Sequence, residues 1–527
     1  MKAHPVVFIT VMDYDNLGVG YMASLLSAKG FDTQVLDFSI RESDILKILQ
    51  KADPLIIGFS VIFHNYIDKF AELIRYLREK GINCHFTAGG HYASLRYEEL
   101  FMRIPELDSI VRFEGEYPVV ELAKCISREE EWREIPGIAY VEIDKITANP
   151  VCPPETDLDI FPFPLRTSFK NYAFGRKVTS ILAGRGCIYN CTFCNTREFY
   201  RQASAPVKRI RKPEAVVSEM EYLFNEKGCS VFLFHDDDFP VRSSGKHGWI
   251  KRFCKELKRK GLSEKLIWKI NCRPDEIDEE CFAMMKQNGL FLVFLGIEDG
   301  TDTGLKRMNK QMSVADSIIG INTLKKLEIG FDFGYILFQP VTTFRSLKEN
   351  IGFLRHVCSD GYTPSTFLKL VPFYDTRVEK ELADEGRLRI SDFGMDYDFI
   401  EEGMGEYYNF VTECFNDWRD KPDGVENISK WARNYFSVYS HFFDIQPEVT
   451  ALENNFRRLV SESNTFMLDT MSELALIFET NQLNMYGITF HEIYRGRIKA
   501  QHSIYRAEII TTMTELMNFV EDRQLAK

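Results

Sequence analysis

Gly184-Arg-Gly-Cys187-Ile-Tyr-Asn-Cys191-Thr-Phe-Cys194-Asn195 places three thiols on one short stretch, spaced C-x3-C-x2-C. A β-branched run from Val178 to Leu182 leads into it. Gly184 and Gly186 break that strand, so the thiols are expected on a loop at a strand end, where α/β folds usually form their sites. Three convergent thiolates suit a soft metal. A structural zinc would want a fourth Cys or His nearby, usually in a second C-x2-C or H-x3-H pair, and none follows at a useful distance. An iron–sulfur cluster held by three cysteines leaves one iron open.

Downstream, from Lys177 to about Pro372, short apolar runs alternate with helical stretches six times. The strands expected are Thr179–Ala183, Val231–His235, Ile267–Asn271, Leu292–Ile297, Phe331–Phe338 and Thr366–Val371. Six parallel units make a partial (β/α)6 barrel, with polar residues at the strands' C-terminal ends. The second strand ends in His235-Asp236-Asp237-Asp238, three adjacent acids that would repel one another unless a cation sat among them. Calcium would need further oxygen ligands at alternate positions, which Phe239-Pro240 interrupts.

The cysteine spacing resembles the C-x3-C-x-Φ-C signature of radical S-adenosylmethionine (SAM) enzymes, with Phe193 as the aromatic. The resemblance implies a [4Fe–4S] cluster on Cys187, Cys191 and Cys194 whose open iron chelates SAM. It also carries over Asp236 and Asp237, the turn Gly296-Ile-Glu298-Asp-Gly and the adenine-lining strand Gly334-Tyr-Ile336 as SAM contacts. Phe338 stands where that strand has a glycine in the family.

The first part of the chain also alternates β and α, which implies a doubly wound parallel sheet. Gly18-Val-Gly20-Tyr-Met-Ala23 with Asp37 superficially matches a dinucleotide fingerprint, but six residues from Met12 to Leu17 separate the strand from the first glycine. A better match is the cobalamin pattern D-x-H-x-x-G, S-x-L, G-G, here Asp13-Tyr-Asp15-Asn-Leu-Gly18, Ser60-Val-Ile62 and Gly89-Gly90. Small residues there let the backbone approach a nucleotide tail, and Ser60 can hydrogen-bond it. The domain is similar to that of cobalamin-dependent radical SAM enzymes, including Asn16-Leu17-Gly18-Val-Gly20-Tyr and Phe113-Glu114-Gly115-Glu116. The motif's histidine is Asp15, so no lower cobalt ligand is expected from this loop; His64, just beyond Ser60, reads as a solvated or helix-start residue or, alternatively, as a group that approaches the corrin's lower face. His91 reads as a helix start or a contact to the nucleotide tail. Glu114 and Glu116 read equally as acids favoured by the helix dipole or as cofactor contacts.

The domains expected are an N-terminal Rossmann-like cobalamin-binding domain (1–130), a proline-rich linker (131–170), the radical SAM barrel (171–375) and a mostly α-helical C-terminal domain (376–527). In the last, residues 395–410 read as core plus loop or as a cover for the barrel mouth. A net charge of −12 without a basic block argues against a nucleic-acid partner, and no apolar stretch is long enough to span a bilayer. Outside the triplet the cysteines are scattered singly, which fits a reducing, cytoplasmic setting.

The resemblance implies a C-methyltransferase working through a 5′-deoxyadenosyl radical and methylcobalamin on a small molecule or peptide intermediate, with a flavodoxin- or ferredoxin-type electron donor. A rearrangement, cyclisation or ring contraction with the same cofactors is the alternative. A cobalamin sensor or carrier would have no need of the cysteine triplet. A methylthiotransferase would bring a second triplet, whereas only Cys84 and Cys125 precede the linker.

Overall fold

The run Val6–Thr10 is apolar at every position but its last and is buried throughout, which is what a central strand covered on both faces requires. In the computed structural model it forms β1. The structure describes all residues except 1–3, 13–14, 243–246, 392–393, 481–488 and 526–527, so Asp13 and Tyr14 of the first loop lie outside the described residues. The chain divides into two compact units: Met1–Lys170 with Thr179–Glu219 and Pro372–Asp396, and Asn171–Val178 with Met220–Val371 and Tyr397–Lys527.

In the first unit β1 is joined by β2 (Thr33–Asp37), β3 (Ile56–Ser60), β4 (His85–Gly89) and β5 (Ser109–Val111), followed by the hairpin β6 (Ile138–Glu142) and β7 (Lys145–Ala148). The sheet order is β2-β1-β3-β4-β5-β6-β7, parallel through β5 and antiparallel beyond. Alternate residues of β1 serve different cores. Val7 and Ile9 pack with Ile57, Phe59 and Phe86, while Val6 and Phe8 pack with Val19 and Leu26 of the helix Leu17–Ala28. The hairpin falls in the segment expected as linker and continues this sheet.

β8 (Lys177–Ile181) leads to the cysteine stretch. Gly184–Gly186 do not simply end that strand; they form β9, paired antiparallel with β10 (Lys208–Ile210). The glycines are needed because the two backbones nearly touch. A Cβ on Gly184 would lie 2.5 Å from the Arg209 carbonyl, and Gly186 combines φ +85° with a Cβ 2.2 Å from the Val207 carbonyl.

In the second unit β11 (Cys229–Phe234), β12 (Ile267–Cys272), β13 (Leu290–Glu298) and β14 (Gly330–Tyr335) pair in parallel in chain order. The sixth expected strand, Thr366–Val371, runs parallel to residues 335–338 but is short: Leu368 N–H donates to the Tyr335 carbonyl, Phe338 N–H to the Leu368 carbonyl and Leu370 N–H to the Phe338 carbonyl, around one bridge between Lys369 and Phe338. The C-terminal region is helical as expected: Met404–Arg419, Val425–Phe442, Pro447–Glu479 and Thr489–Leu525. No helix among the described residues is long and apolar enough to cross a membrane.

Candidate cofactor-binding site

Because β1, β3 and β4 are parallel neighbours, their C-terminal loops lie side by side. Ser60 and Gly89 are in register across β3 and β4. Asn16 caps the helix Leu17–Ala28 by accepting from the Val19 N–H at 3.1 Å, and its amide donates to Thr10 Oγ1 at 2.7 Å and Ser60 Oγ at 3.3 Å. Three separate motifs of the sequence thus become one edge. Gly90 has φ +109°, and a Cβ there would stand 2.8 Å from the Val61 carbonyl, so this position tolerates only glycine without strain. Gly18 has open space beside it apart from the Asn16 side chain.

Other residues of the expected cobalamin set have local partners. A Cβ on Gly20 would meet the Leu165 carbonyl at 2.6 Å, so this glycine lets residues 164–165 pack on the helix. Leu17 is buried with Tyr21, Leu158 and Phe161. Ile62 offers its carbonyl to the Tyr374 hydroxyl at 2.8 Å. His64 Nε2 faces the Gly394 backbone, its Nδ1 is buried without a hydrogen-bond partner, and burial holds the ring below the usual histidine range. His91 starts a helix and stacks on Phe199 at 4.0 Å; burial pushes its pKa down to about 4.

Asp15 accounts for the missing histidine. Its Oδ2 accepts from the Ser180 N–H at 2.9 Å and the Thr179 hydroxyl at 3.2 Å, tying this loop to the strand before the cysteines.

A second tie was not foreseen from the sequence. Arg185, between the two glycines of β9, donates to Glu116 at 2.6 Å and lies 3.3 Å from Glu114. Arg209, opposite it on β10, also pairs with Glu114. Burial raises the Glu114 pKa, but Arg209 and Arg185 outweigh it and hold the carboxyl below the usual range. Gly115 sits between them because a Cβ would press to 2.7 Å from Met22 Sδ. The one signal available was arginine in a G-R-G triplet, which periodicity cannot interpret.

The cysteine loop is held at its other end as well. Thr192 accepts from the Val378 N–H at 3.2 Å, and the Cys194 N–H closes a turn on the Cys191 carbonyl. The three thiols are free of disulfides; Cys187 and Cys191 are half-buried and Cys194 is exposed. Among the described residues no three His, Cys, Asp or Glu side chains gather closely enough to hold a single metal ion. A cubane makes a different demand, because each thiolate binds a different iron and the sulfurs stand apart. Three cysteines on one loop, none of them in a disulfide, fit that group.

In the second unit Asp236 and Asp238 are buried at the end of β11 and Asp237 is exposed. Asn271 donates to the Asp236 carbonyl, while its own Oδ1 is buried without a partner. Glu298 has φ +69° and lies across Gly296 and Gly334, where a Cβ would come within 2.9 and 3.2 Å of its carboxylate. Burial raises its pKa although Lys310 stands 3.5 Å away. Buried Ile336 donates its N–H to the Glu298 carbonyl.

The parallel sheet with small residues at adjacent strand ends and the three-thiol loop define a corrinoid-type domain joined to an iron–sulfur barrel. Residues 4–123 match the B12 binding domain family and residues 181–354 the Radical SAM superfamily. The chain thus joins a B12 binding domain to a Radical SAM domain, the pair found in cobalamin-dependent radical SAM enzymes, and the cofactors these domains take are cobalamin, SAM and a [4Fe–4S] cluster.

It is 28% identical to the anaerobic magnesium-protoporphyrin IX monomethyl ester cyclase of Cereibacter sphaeroides over 69% of this chain and 61% of that protein. It is 26% identical to an uncharacterized methyltransferase of Pyrococcus horikoshii, covering 69% and 77%. Its fold is similar to that of the cobalamin-dependent radical enzyme OxsB with aqua-cobalamin and SAM bound: TM-score 0.65, 18% identity, 96% of this chain and 84% of that one.

Proposed function

We propose that this chain is a C-methyltransferase acting on an unactivated carbon of a natural-product or peptide intermediate. The observation that carries the reading is the pairing of Arg185, two residues before Cys187, with Glu116, which puts the cysteine loop and the strand-end loops in one compact unit. The likeness to a methyltransferase supports it.

In this reading Cys187, Cys191 and Cys194 each bind an iron, with Phe193 beside the cluster. Leu17, Gly18, Ser60, Ile62, Gly89 and Gly90 take the cobalamin. Asp236, Asp237, Glu298 and Ile336 take SAM. When bound, the cluster and SAM supply a carbon-centred radical and the corrinoid supplies a methyl group. The chain's own share is positioning: the Asp15 and Arg185 ties fix the loops, and Glu298 is pre-set for a positive charge. A flavodoxin- or ferredoxin-type protein in a reducing cytoplasm supplies the electron.

A second reading, cyclisation or rearrangement without methyl transfer, is favoured by the 28% identity to a cyclase. Anaerobically reconstituted protein given SAM, a reductant and candidate substrates separates the two. Methyl transfer forms S-adenosylhomocysteine together with 5′-deoxyadenosine; the second reading forms deoxyadenosine alone. Deoxyadenosine formation that persists in Cys191→Ala would sink both.

A further inference from the structure

The inner face of the second unit's sheet carries a cation that nothing so far has used. On β12, Trp268 packs against Phe253 of the helix Gly248–Arg259 with ring centroids 5.3 Å apart, and Ile270 is fully buried. Strand alternation therefore sends Lys269 to the opposite face. There its ammonium stands 5.5 Å from the centre of the Phe294 ring, a cation–π contact.

Phe294 on β13 is 36% exposed, unusual for a phenylalanine in the middle of a central strand. Gly334 keeps the next strand clear of it, since a Cβ there would already be 3.5 Å from Phe294 Cζ. Asp332 is in register with Phe294 and would be the natural counter-ion for Lys269. It is already committed: the fully buried Arg433 pairs with it at 2.8 Å and also donates to the Phe331 carbonyl at 2.6 Å.

Among the described residues, Lys269 Nζ has no hydrogen-bond or ion-pair partner. Burial holds it below the usual lysine range. Asp332, shared with Arg433, attracts it from beyond ion-pair distance without outweighing burial. A partly buried ammonium with no acid in contact is costly to keep, and the cost is offset when a ligand brings an anion to it.

The geometry points to a substrate subsite on this face: Lys269 receives an oxyanion, carboxylate or phosphate, of a small molecule whose flat apolar part lies on Phe294. This rests on the enzyme reading above and names the chemical class of its substrate.

The test is calorimetric titration of the full-length, anaerobically reconstituted protein with phenyl phosphate, benzoate and, as a neutral control, benzyl alcohol. At least one anion should bind and the alcohol should not; the preferred anion tells a phosphate ester from a carboxylic acid. Lys269→Met should weaken anion binding by about tenfold or more, the scale of one charge-assisted contact. Lys269→Arg, which keeps the charge, should retain most of it, and Phe294→Ala should weaken it while keeping the charge.

Equal binding of the alcohol, unchanged affinity in Lys269→Met, or failure of both anions on the wild type overturns the subsite. Loss of binding in Lys269→Arg as severe as in Lys269→Met, with a lowered Tm in both, would assign Lys269 to the fold instead. Binding is read without turnover, so a negative result leaves deoxyadenosine formation, and with it the enzyme reading, standing.

Discussion

Glu298 is a side chain that is poor for the fold, and we propose that a ligand explains it. It occupies a left-handed backbone position, which costs a non-glycine residue on the order of 1–3 kcal/mol, and its carboxyl is buried. Burial raises its folded pKa above the unfolded value, so the native state takes up a proton there. That contribution to stability is present at low pH and is lost as pH rises through the folded pKa. Glu298→Gln should lower retention of SAM by the reconstituted protein, read as SAM bound after desalting; full SAM retention would refute the assignment.

Asp15 behaves in the opposite way. Its carboxylate satisfies the Ser180 N–H, and Asp15→Ala should cost about 1–3 kcal/mol through the unsatisfied donor, read as a lowered Tm. Of these two residues, Glu298 was singled out by its G-x-E turn. Asp15 was legible only as a departure from a motif, because the partner that explains it is 165 residues away in the chain.

Among the elements, β9 is the one whose importance the sequence concealed. Three residues long, it reads as a glycine break before the cysteines, yet it presents Arg185 to two acids of the turn after β5. Arg185 and Glu116 side chains are only 12% and 5% exposed, so removing one partner leaves a buried charge uncompensated. Arg185→Met should cost about 3–5 kcal/mol and lower iron content on reconstitution, and Glu116→Gln in the same chain should recover part of that loss. Equal iron content in wild type and Arg185→Met would show that the pair does not position the cysteine loop.

Glu114 gives the same tie a pH dependence. Its folded pKa is depressed, so its contribution is complete above the unfolded value near 4.5 and fades as pH falls through the folded one. The strands themselves were legible because burial on both faces leaves apolar runs such as Val6–Val11. The sixth barrel strand pairs over a shorter length than its apolar run, since such a run says nothing about how far its neighbour extends.

For the molecule as a whole, sequence periodicity announced helices after residue 396 but not what they cover. Fully buried Arg433 reaches from the helix Val425–Phe442 to the Phe331 carbonyl and Asp332 on β14. Asn464 on the helix Pro447–Glu479 accepts from the Ser365 N–H and donates to the Thr363 carbonyl. Phe338 lies among Phe399, Tyr407 and Tyr408, and the Tyr407 hydroxyl donates to the Met471 carbonyl. The helices thus complete the core of the second unit. A chain ending at Asp396 should lose amide-exchange protection in β13 and β14, whose apolar surface and backbone partners it no longer covers, while β1, β3 and β4, with both cores inside the first unit, keep theirs. In the full chain Arg433→Met should lower Tm by removing the arginine that pairs with Asp332 and caps the Phe331 carbonyl. Persistent protection of β13 and β14 in the shortened chain would mean that the strands carry their own stability and that the helices are an addition to the barrel instead of part of its core.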